Sequence, residues 1–374
     1  ISVTDENFGS NRKQSYECAR LMKKHGIYWS SQGARAASIS VEDLKFYKAH
    51  NLLAIRYGIE SGSQTILDIM EKKTTTQQVY EQIECCTRLG VATTSEAFML
   101  GYPGESRKTA LETAEYNAQL RYLLGNDWNT AYPCWATSIP GTPLYEYSQQ
   151  IGVIGDTLEE EEDYLYRTAD TMEDRGILNY LNKTEYDLKE VHYWIYLYRY
   201  AGKKAFVNEI IKKNWRYAKQ PVRKIVSQIY HQCIKESFKA YKNDFKSRVA
   251  KKMNVFKKIN NFIHISAKFF MTVMVIFLPK VILFPILKLM SDVSFYILKK
   301  RHKSKSGAER YNFFVDRRAE KKISSNLKFT DDKIAKTTRI IERSLRSVVK
   351  VNSEQIKLPI TDEEKSLQLL ARQQ

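Results

Sequence analysis

With 374 residues, 43% of them hydrophobic, the chain can bury one large domain plus an appendage, or two domains, and wholesale disorder is excluded. Its net charge of +18 is unevenly spread: residues 1–200 carry 20 Lys and Arg against 28 Asp and Glu, and the remainder 40 against 14. A mildly acidic front and a strongly basic back imply two modules with different partners, the second suited to nucleic acid or an anionic membrane. The five cysteines (Cys18, Cys85, Cys86, Cys134 and Cys233) show no CxxC or CxxxCxxC spacing. They argue against a disulfide scaffold, fit a reducing compartment, and assign no metal ligands.

In chain order, β-rich apolar runs at Ile1–Asp5, Ile27–Ala34, Leu53–Glu60, Val91–Gly101 and Asn129–Thr137 read as strands. Helical patterns lie between and after them at Ser15–His25, Val41–His50, Thr76–Leu89, Lys108–Leu124 and Leu144–Gln150. Strand–helix alternation predicts an α/β fold with a parallel sheet, open or closed into a barrel, and chemistry at the C-terminal strand ends. Polar residues gather at those ends: Asp5 and Glu6, then Arg35, then Glu60-Ser61, then Gly101 to Glu105. The chain starts at Ile1, in what already reads as a strand with no signal peptide before it, so a missing N-terminal part is expected.

After residue 150 the alternation stops. Five consecutive acids, Glu159 to Asp163, read as a solvated helix start, and residues 187–245 as helices rich in Tyr, Trp and Lys. The predicted organisation is a partial (β/α) barrel over 1–150 and a helical extension over 151–250. A basic-flanked hydrophobic segment follows at 251–305, then a basic polar tail at 306–374, helical in part over Asp332–Lys350.

Gly58-Ile59-Glu60-Ser61-Gly62-Ser63 puts a carboxylate and hydroxyls on a turn, where they could grip a diol such as a ribose. The alternative is that Ser63 merely caps a helix. In Phe98-Met99-Leu100-Gly101-Tyr102-Pro103-Gly104-Glu105-Ser106 the glycines admit close backbone approach to a flat ligand, and the apolar strand end offers an adenine a greasy face. The alternative there is an ordinary βα loop capped by Ser106. Pro140 to Tyr145 reads as turn chemistry.

Taken in order, Asp5-Glu6-Asn7-Phe8, Trp29 to Arg35, Gly58 to Ser63, Met70-Glu71-Lys72, Leu100 to Glu105 and Pro140 to Tyr145 resemble the radical S-adenosylmethionine superfamily, in particular its cobalamin-binding-type branch. The resemblance implies a site for S-adenosylmethionine. Asp5 and Glu6 would meet the methionyl amino group, and Arg35 the methionyl carboxylate, which suits a planar guanidinium. Glu60 and Ser61 would meet the ribose hydroxyls, Met99, Leu100, Gly101 and Pro103 would line the adenine-facing strand, and Cys134 would lie near the end of the next strand. Tyr102 and Trp135 are candidates to wall a substrate cavity, against packing as the plainer reading. No catalytic residue is assigned. The resemblance also implies a [4Fe-4S] cluster, with a reductant protein to feed it, and a 5′-deoxyadenosyl radical used for methyl transfer or for radical rearrangement or cyclisation. The cluster-binding CxxxCxxC loop and the family's first strand are absent from this chain. The fragment alone is therefore expected to be inactive, its cluster ligands lying elsewhere; the branch further implies cobalamin on an upstream domain.

Residues 262–298 are apolar but interrupted by Pro279, Lys280 and Pro285, with Lys251-Lys252 and Lys257-Lys258 on one side and Lys299-Lys300-Arg301 on the other. Each apolar arm is too short to span a bilayer, and a single span would strand one basic flank outside. A monotopic hairpin turning near Pro279-Lys280 satisfies both flanks, and implies a cytoplasmic protein peripheral to the inner membrane face with a hydrophobic or membrane-held small-molecule substrate. The competing expectation is a buried helical pair. The run Tyr193 to Tyr200 could stack bases, though packing against the barrel is favoured and nucleic acid is not the expected partner. The alternatives for the whole chain are a degenerate barrel serving as a membrane-associated scaffold and an RNA-binding or RNA-modifying protein.

Overall fold

The computed structural model describes residues 1–94, 98–128, 133–150, 185–248 and 269–303, with isolated positions between 152 and 164 and residue 266. Three strands, β1 (Ser2–Phe8), β2 (Trp29–Ala34) and β3 (Leu52–Tyr57), form a parallel sheet in that order. A second parallel pair holds β4 (Met99–Leu100) and β5 (Cys134–Trp135). Parallel bridges from Ala54 to Ala92 and from Glu60 to Phe98 stitch the two sheets together. Across the seam the Ala92 N–H donates to the Leu53 carbonyl at 2.8 Å and the Met99 N–H to the Glu60 carbonyl at 2.7 Å. All five strands therefore run one way in chain order, and their C-terminal ends share one rim. The expected parallel α/β architecture is present. Among the described residues no pairing closes β5 onto β1, so the sheet is seen as an open arc.

Helices α1 (Arg12–Lys24), α2 (Val41–Ala49), α3 (Gln64–Ile69), α4 (Thr76–Leu89), α5 (Arg107–Leu123) and α6 (Pro143–Gln150) connect or follow these strands. Their starts follow from capping chemistry. Asn11 accepts from the Gln14 N–H at 3.1 Å, which starts α1 three residues before the expected Ser15. Reciprocal capping boxes begin α2 (Ser40 with Asp43), α4 (Thr75 with Gln78) and α5 (Ser106 with Thr109). Ser106 is thus the cap that the plainer sequence reading expected. The short helix α3 is the one that the capping alternative for Ser63 expected, and it lies inside the connection that carries the site. The acidic run does open a helical turn, with the Thr157 hydroxyl accepting from the Glu160 N–H at 3.2 Å.

Among the described residues Val91–Gly101 pairs at Ala92, Phe98 and β4, and Asn129–Thr137 at β5; residues 95–97 and 129–132 lie outside those described. Apolar, β-branched composition marks burial there as much as a ladder. The expected strand Leu53–Glu60 stops at Tyr57, where Gly58 begins a turn.

The helical region opens with α7 (Glu185–Tyr196), which continues through a π-helical segment (Leu197–Ala201) into α8 (Gly202–Tyr217). Next come α9 (Pro221–Gln228), a second π segment (Ile229–Lys235) and α10 (Glu236–Arg248). Among the described residues α11 (269–277) and α12 (Lys280–Lys303) follow. The π segment and α8 pack on α5, and one hydrophobic cluster runs from Phe8 on β1 to Leu287 on α12. Tyr193, Trp194, Tyr198 and Tyr200 are buried, and the Asn117 amide donates to the Tyr198 hydroxyl at 2.7 Å. The aromatic run is packing, not an exposed stacking surface. Trp128, fully buried, donates its indole N–H to Ser237 on α10 at 3.0 Å, tying the two regions together. The tail at 306–374, with the helix expected over Asp332–Lys350, lies outside the described residues.

Candidate functional site

Arg35 directly follows β2 in extended conformation, at the shared rim. One guanidinium nitrogen, Nη2, donates to the Lys72 carbonyl, while its buried Nε has no acceptor among the described residues. Lys72, between α3 and α4, turns its ammonium onto Glu60, with Nζ 2.7 Å from Oε1 and each side chain 22% exposed. Arg35, Lys72 and Glu60 thus form one partly buried cluster spanning two strand ends. Backbone geometry serves it: Glu60 sits at φ +63°, a left-handed conformation costing a side chain about 1–2 kcal/mol. Strain of that kind persists where the surroundings over-determine it. A Cβ at Gly58 would lie 2.8 Å from Glu60 Oε1 and 3.3 Å from Lys72 Nζ, so any side chain there would displace the ion pair. Tyr102 lies close enough that the Glu60 charge, after burial, helps raise its phenol above the ordinary value.

The turn is fastened from behind by α5. Ser61 is fully buried, its hydroxyl 3.0 Å from the Thr113 hydroxyl, and the Gly62 N–H donates to the same Thr113 oxygen at 3.2 Å. Ser63 occupies the cap position of α3 without capping it; its hydroxyl donates to Glu112 at 2.5 Å instead. Within the motif, then, Glu60 faces the rim cluster and the two serines hold the turn.

β4 delivers the next loop. Met99 is half-buried and Leu100 fully buried, and Gly101 and Gly104 have φ of +84° and +85°. A Cβ at Gly104 would press 2.5 Å from Ile69 Cδ1. Glu105 folds back to accept from the Gly101 N–H at 3.3 Å and from the Thr109 hydroxyl, so the loop is pinned by its own acid. Burial pushes the Glu105 carboxyl up to about 7 against those hydrogen bonds. Pro103 is half-buried beside it. On β5, Cys134 is exposed and Trp135 half-buried, its indole nitrogen without a partner among the described residues.

Asp5 lies exposed on β1, where its carboxylate accepts from the Asn7 N–H at 2.7 Å. The side chain of Glu6 is outside those described. Asp5, Arg35, Glu60 and Gly101 therefore occupy one edge of one sheet, with the Arg35–Glu60 contact made through Lys72. The sequence had placed Lys72 in a motif without giving it a part. Its spacing from Glu60 is fixed by α3, which no periodicity in so short a segment reveals.

Among the described residues no group of His, Cys, Asp and Glu is placed to hold a metal ion. Cys86 and Cys233 are buried, and desolvation pushes both thiols up to about 12, away from the thiolate a metal requires.

Residues 1–116 match the family model of the radical SAM superfamily. An uncharacterized methyltransferase of Pyrococcus horikoshii is 27% identical over 150 residues, 40% of this chain and 31% of that protein. Anaerobic magnesium-protoporphyrin IX monomethyl ester cyclases are similar too. That of Rubrivivax gelatinosus is 27% identical over 154 residues, 40% of this chain and 26% of the cyclase. That of Cereibacter sphaeroides is 28% identical over 152 residues, 38% and 23% respectively. The chain thus spans less than a third of the length of these relatives. The parallel strands and the rim they share accord with this similarity to the radical SAM superfamily, which the family model carries over residues 1–116 of the 374.

Proposed function

We propose that residues 1–150 form the S-adenosylmethionine-binding part of a radical SAM enzyme, whose reaction is methyl transfer or a radical rearrangement or cyclisation. The observation that carries this reading is the Arg35–Lys72–Glu60 cluster beside the Gly101 loop at a single strand rim. Its donor set suits the cofactor. The unpartnered Nε–H of Arg35 can meet a carboxylate, and Glu60, held by Lys72, offers its second oxygen to a diol. Gly101 and the Met99-Leu100 strand end provide backbone and apolar surface for a purine. Cys134 and the exposed Asp5 lie on the same rim. S-adenosylmethionine bound there supplies the radical or methyl chemistry of the superfamily.

This reading also implies a [4Fe-4S] cluster, and the residues present do not fit it. The cysteines lack the spacing, and two of them are buried thiols held far from ionisation. The cluster ligands are accordingly assigned to residues outside these 374, as is a cobalamin domain if the branch resemblance holds for the whole protein. The small-molecule substrate and the electron-donating protein belong to that whole protein as well.

Saturation-transfer NMR with S-adenosylhomocysteine tests the site without needing the cluster. The full chain should saturate the adenine and ribose protons. Glu60→Gln should weaken the ribose signals and Arg35→Ala the amino-acid signals, in each case by roughly threefold or more, as for a lost charge-assisted hydrogen bond. Unaltered saturation in both variants, or none in the parent chain, would overturn the assignment.

A further inference from the structure

We infer that the outer face of α12 and the turn before it dock on an anionic membrane surface, lying in the headgroup plane without crossing it. The sequence offered two readings of this segment, buried pair or membrane hairpin, and the structure separates them by face. Leu283, Leu287, Ser291 and Phe295 recur at every fourth position of α12 and are buried, facing α7. The opposite face is also apolar: Val281, Ile282, Leu289, Val293, Tyr296 and Ile297 are exposed, between 46% and 79%, and Phe277 at the end of α11 is exposed as well. A helix resting on a protein core ordinarily turns polar residues outward, and a contiguous apolar stripe marks an interaction surface.

The charged residues within the stretch are engaged elsewhere. Lys280 pairs with Glu115 at 2.5 Å, and Lys288 pairs with Asp292, which Lys189 also approaches at 3.5 Å. Residues 251–305 carry twelve Lys and Arg against one acid, with Lys299-Lys300-Arg301 and Lys303 completing α12 itself. Apolar and aromatic residues on the outward stripe, with basic residues at its end, match an interfacial helix on anionic lipid. A second copy of this chain would bring a like-charged basic segment against the first, which disfavours self-pairing. Among the described residues no helix is long and apolar enough to cross a membrane, and Pro285 with Lys280, Lys288 and Asp292 explains why α12 is not. Pro285 interrupts the helix little: the carbonyl it leaves unbonded is that of Val281, on the exposed side.

Co-sedimentation of the full chain with vesicles of phosphatidylcholine, alone or mixed with phosphatidylserine, tests this. The chain should pellet with the anionic vesicles and less with the neutral ones, and soluble glycerophosphoserine should not release it. The triple variant Ile282→Asp, Leu289→Asp, Val293→Asp should bind roughly tenfold more weakly or worse. Equal binding by parent and variant, or a parent that stays in solution, would overturn the inference. So would light scattering that shows a dimer lost in the variant with no vesicle binding by either, since the face would then belong to a second copy. In case the triple variant fails to fold, Tyr296→Trp gives an independent reading. Its indole should gain quenching from brominated lipid beyond that of the parent chain, and no gain refutes the docking.

Discussion

Replacing Gly62 by alanine tests whether the site turn is clamped to α5 as closely as the structure has it. A Cβ at Gly62 would stand 2.5 Å from Tyr116 Cβ and 2.8 Å from the Thr113 Cα. Neither atom is the free end of a flexible side chain; both ride on the α5 backbone, so the turn must retreat. Overpacking of this kind costs about 2 kcal/mol. Retreat also stretches the 3.0 Å Ser61–Thr113 and 3.2 Å Gly62–Thr113 hydrogen bonds, worth about 1 kcal/mol each. The expected loss is therefore about 2–4 kcal/mol. Gly90→Ala provides the contrast, because Gly90 is left-handed (φ +64°) yet a Cβ there would meet nothing within 4 Å; backbone strain alone costs about 1 kcal/mol. Urea unfolding followed by tryptophan fluorescence measures both. Thr113→Val should add less in the Gly62→Ala background than alone, by about 0.5 kcal/mol or more, because the same bonds are already weakened. A Gly62→Ala loss no larger than that of Gly90→Ala would refute the clamp.

Two pH dependences follow from burial. The Glu105 carboxyl rises from its ordinary 4.5 to about 7, so across that window the folded chain keeps a proton that the unfolded chain releases, and stability falls as pH rises. Glu105→Gln should remove that component; a difference in urea midpoint between parent and variant that stays constant from about pH 5 to about pH 7.5 would contradict it. His192 behaves oppositely: desolvation among the Tyr196 and Phe295 rings lowers it from 6.5 to about 4, so the unfolded chain binds the extra proton and stability drops as pH falls below about 6.5. His192→Phe should flatten this acid limb, and an unchanged limb would show that the imidazole protonates without penalty.

How much of this was legible beforehand depended on the range over which each contact is made. The strand-end rule found Arg35, Glu60 and Gly101, because a parallel α/β alternation puts all strand ends on one side wherever the strands lie. It could not find the pairing of Glu60 with Lys72, which depends on α3 bringing the chain back. Nor could it tell a ligand-facing hydroxyl from one facing the protein: Ser61 reads as a ribose partner, and only the approach of α5 commits it to Thr113. Within Val91–Gly101 the described residues Val91, Thr93, Thr94 and Gly101 stand outside the ladder for a related reason, since apolar runs record burial and the ladder is set by neighbours. For the segment at 269–303, hydropathy gave two incompatible readings because it averages over a helix whose faces have different surroundings.

The helical region and the site are joined through one helix. α5 presents Thr113 to the Ser61 hydroxyl, Ala114 to the close approach of Gly202, with 3.3 Å from the Ala114 carbonyl to a Cβ placed there, and Asn117 to Tyr198. Phe98, which bridges to Glu60 in the sheet, stands with its ring 6.4 Å from Tyr116 and 6.2 Å from Tyr198. A strained left-handed Glu60 needs a rigid support, and that support is α5 held between the turn and the π segment. The helices after residue 185 therefore do more than extend the chain: they back the wall on which the rim cluster is set, so a change at Tyr198 should reach Glu60 through α5 and Phe98 without touching the site itself.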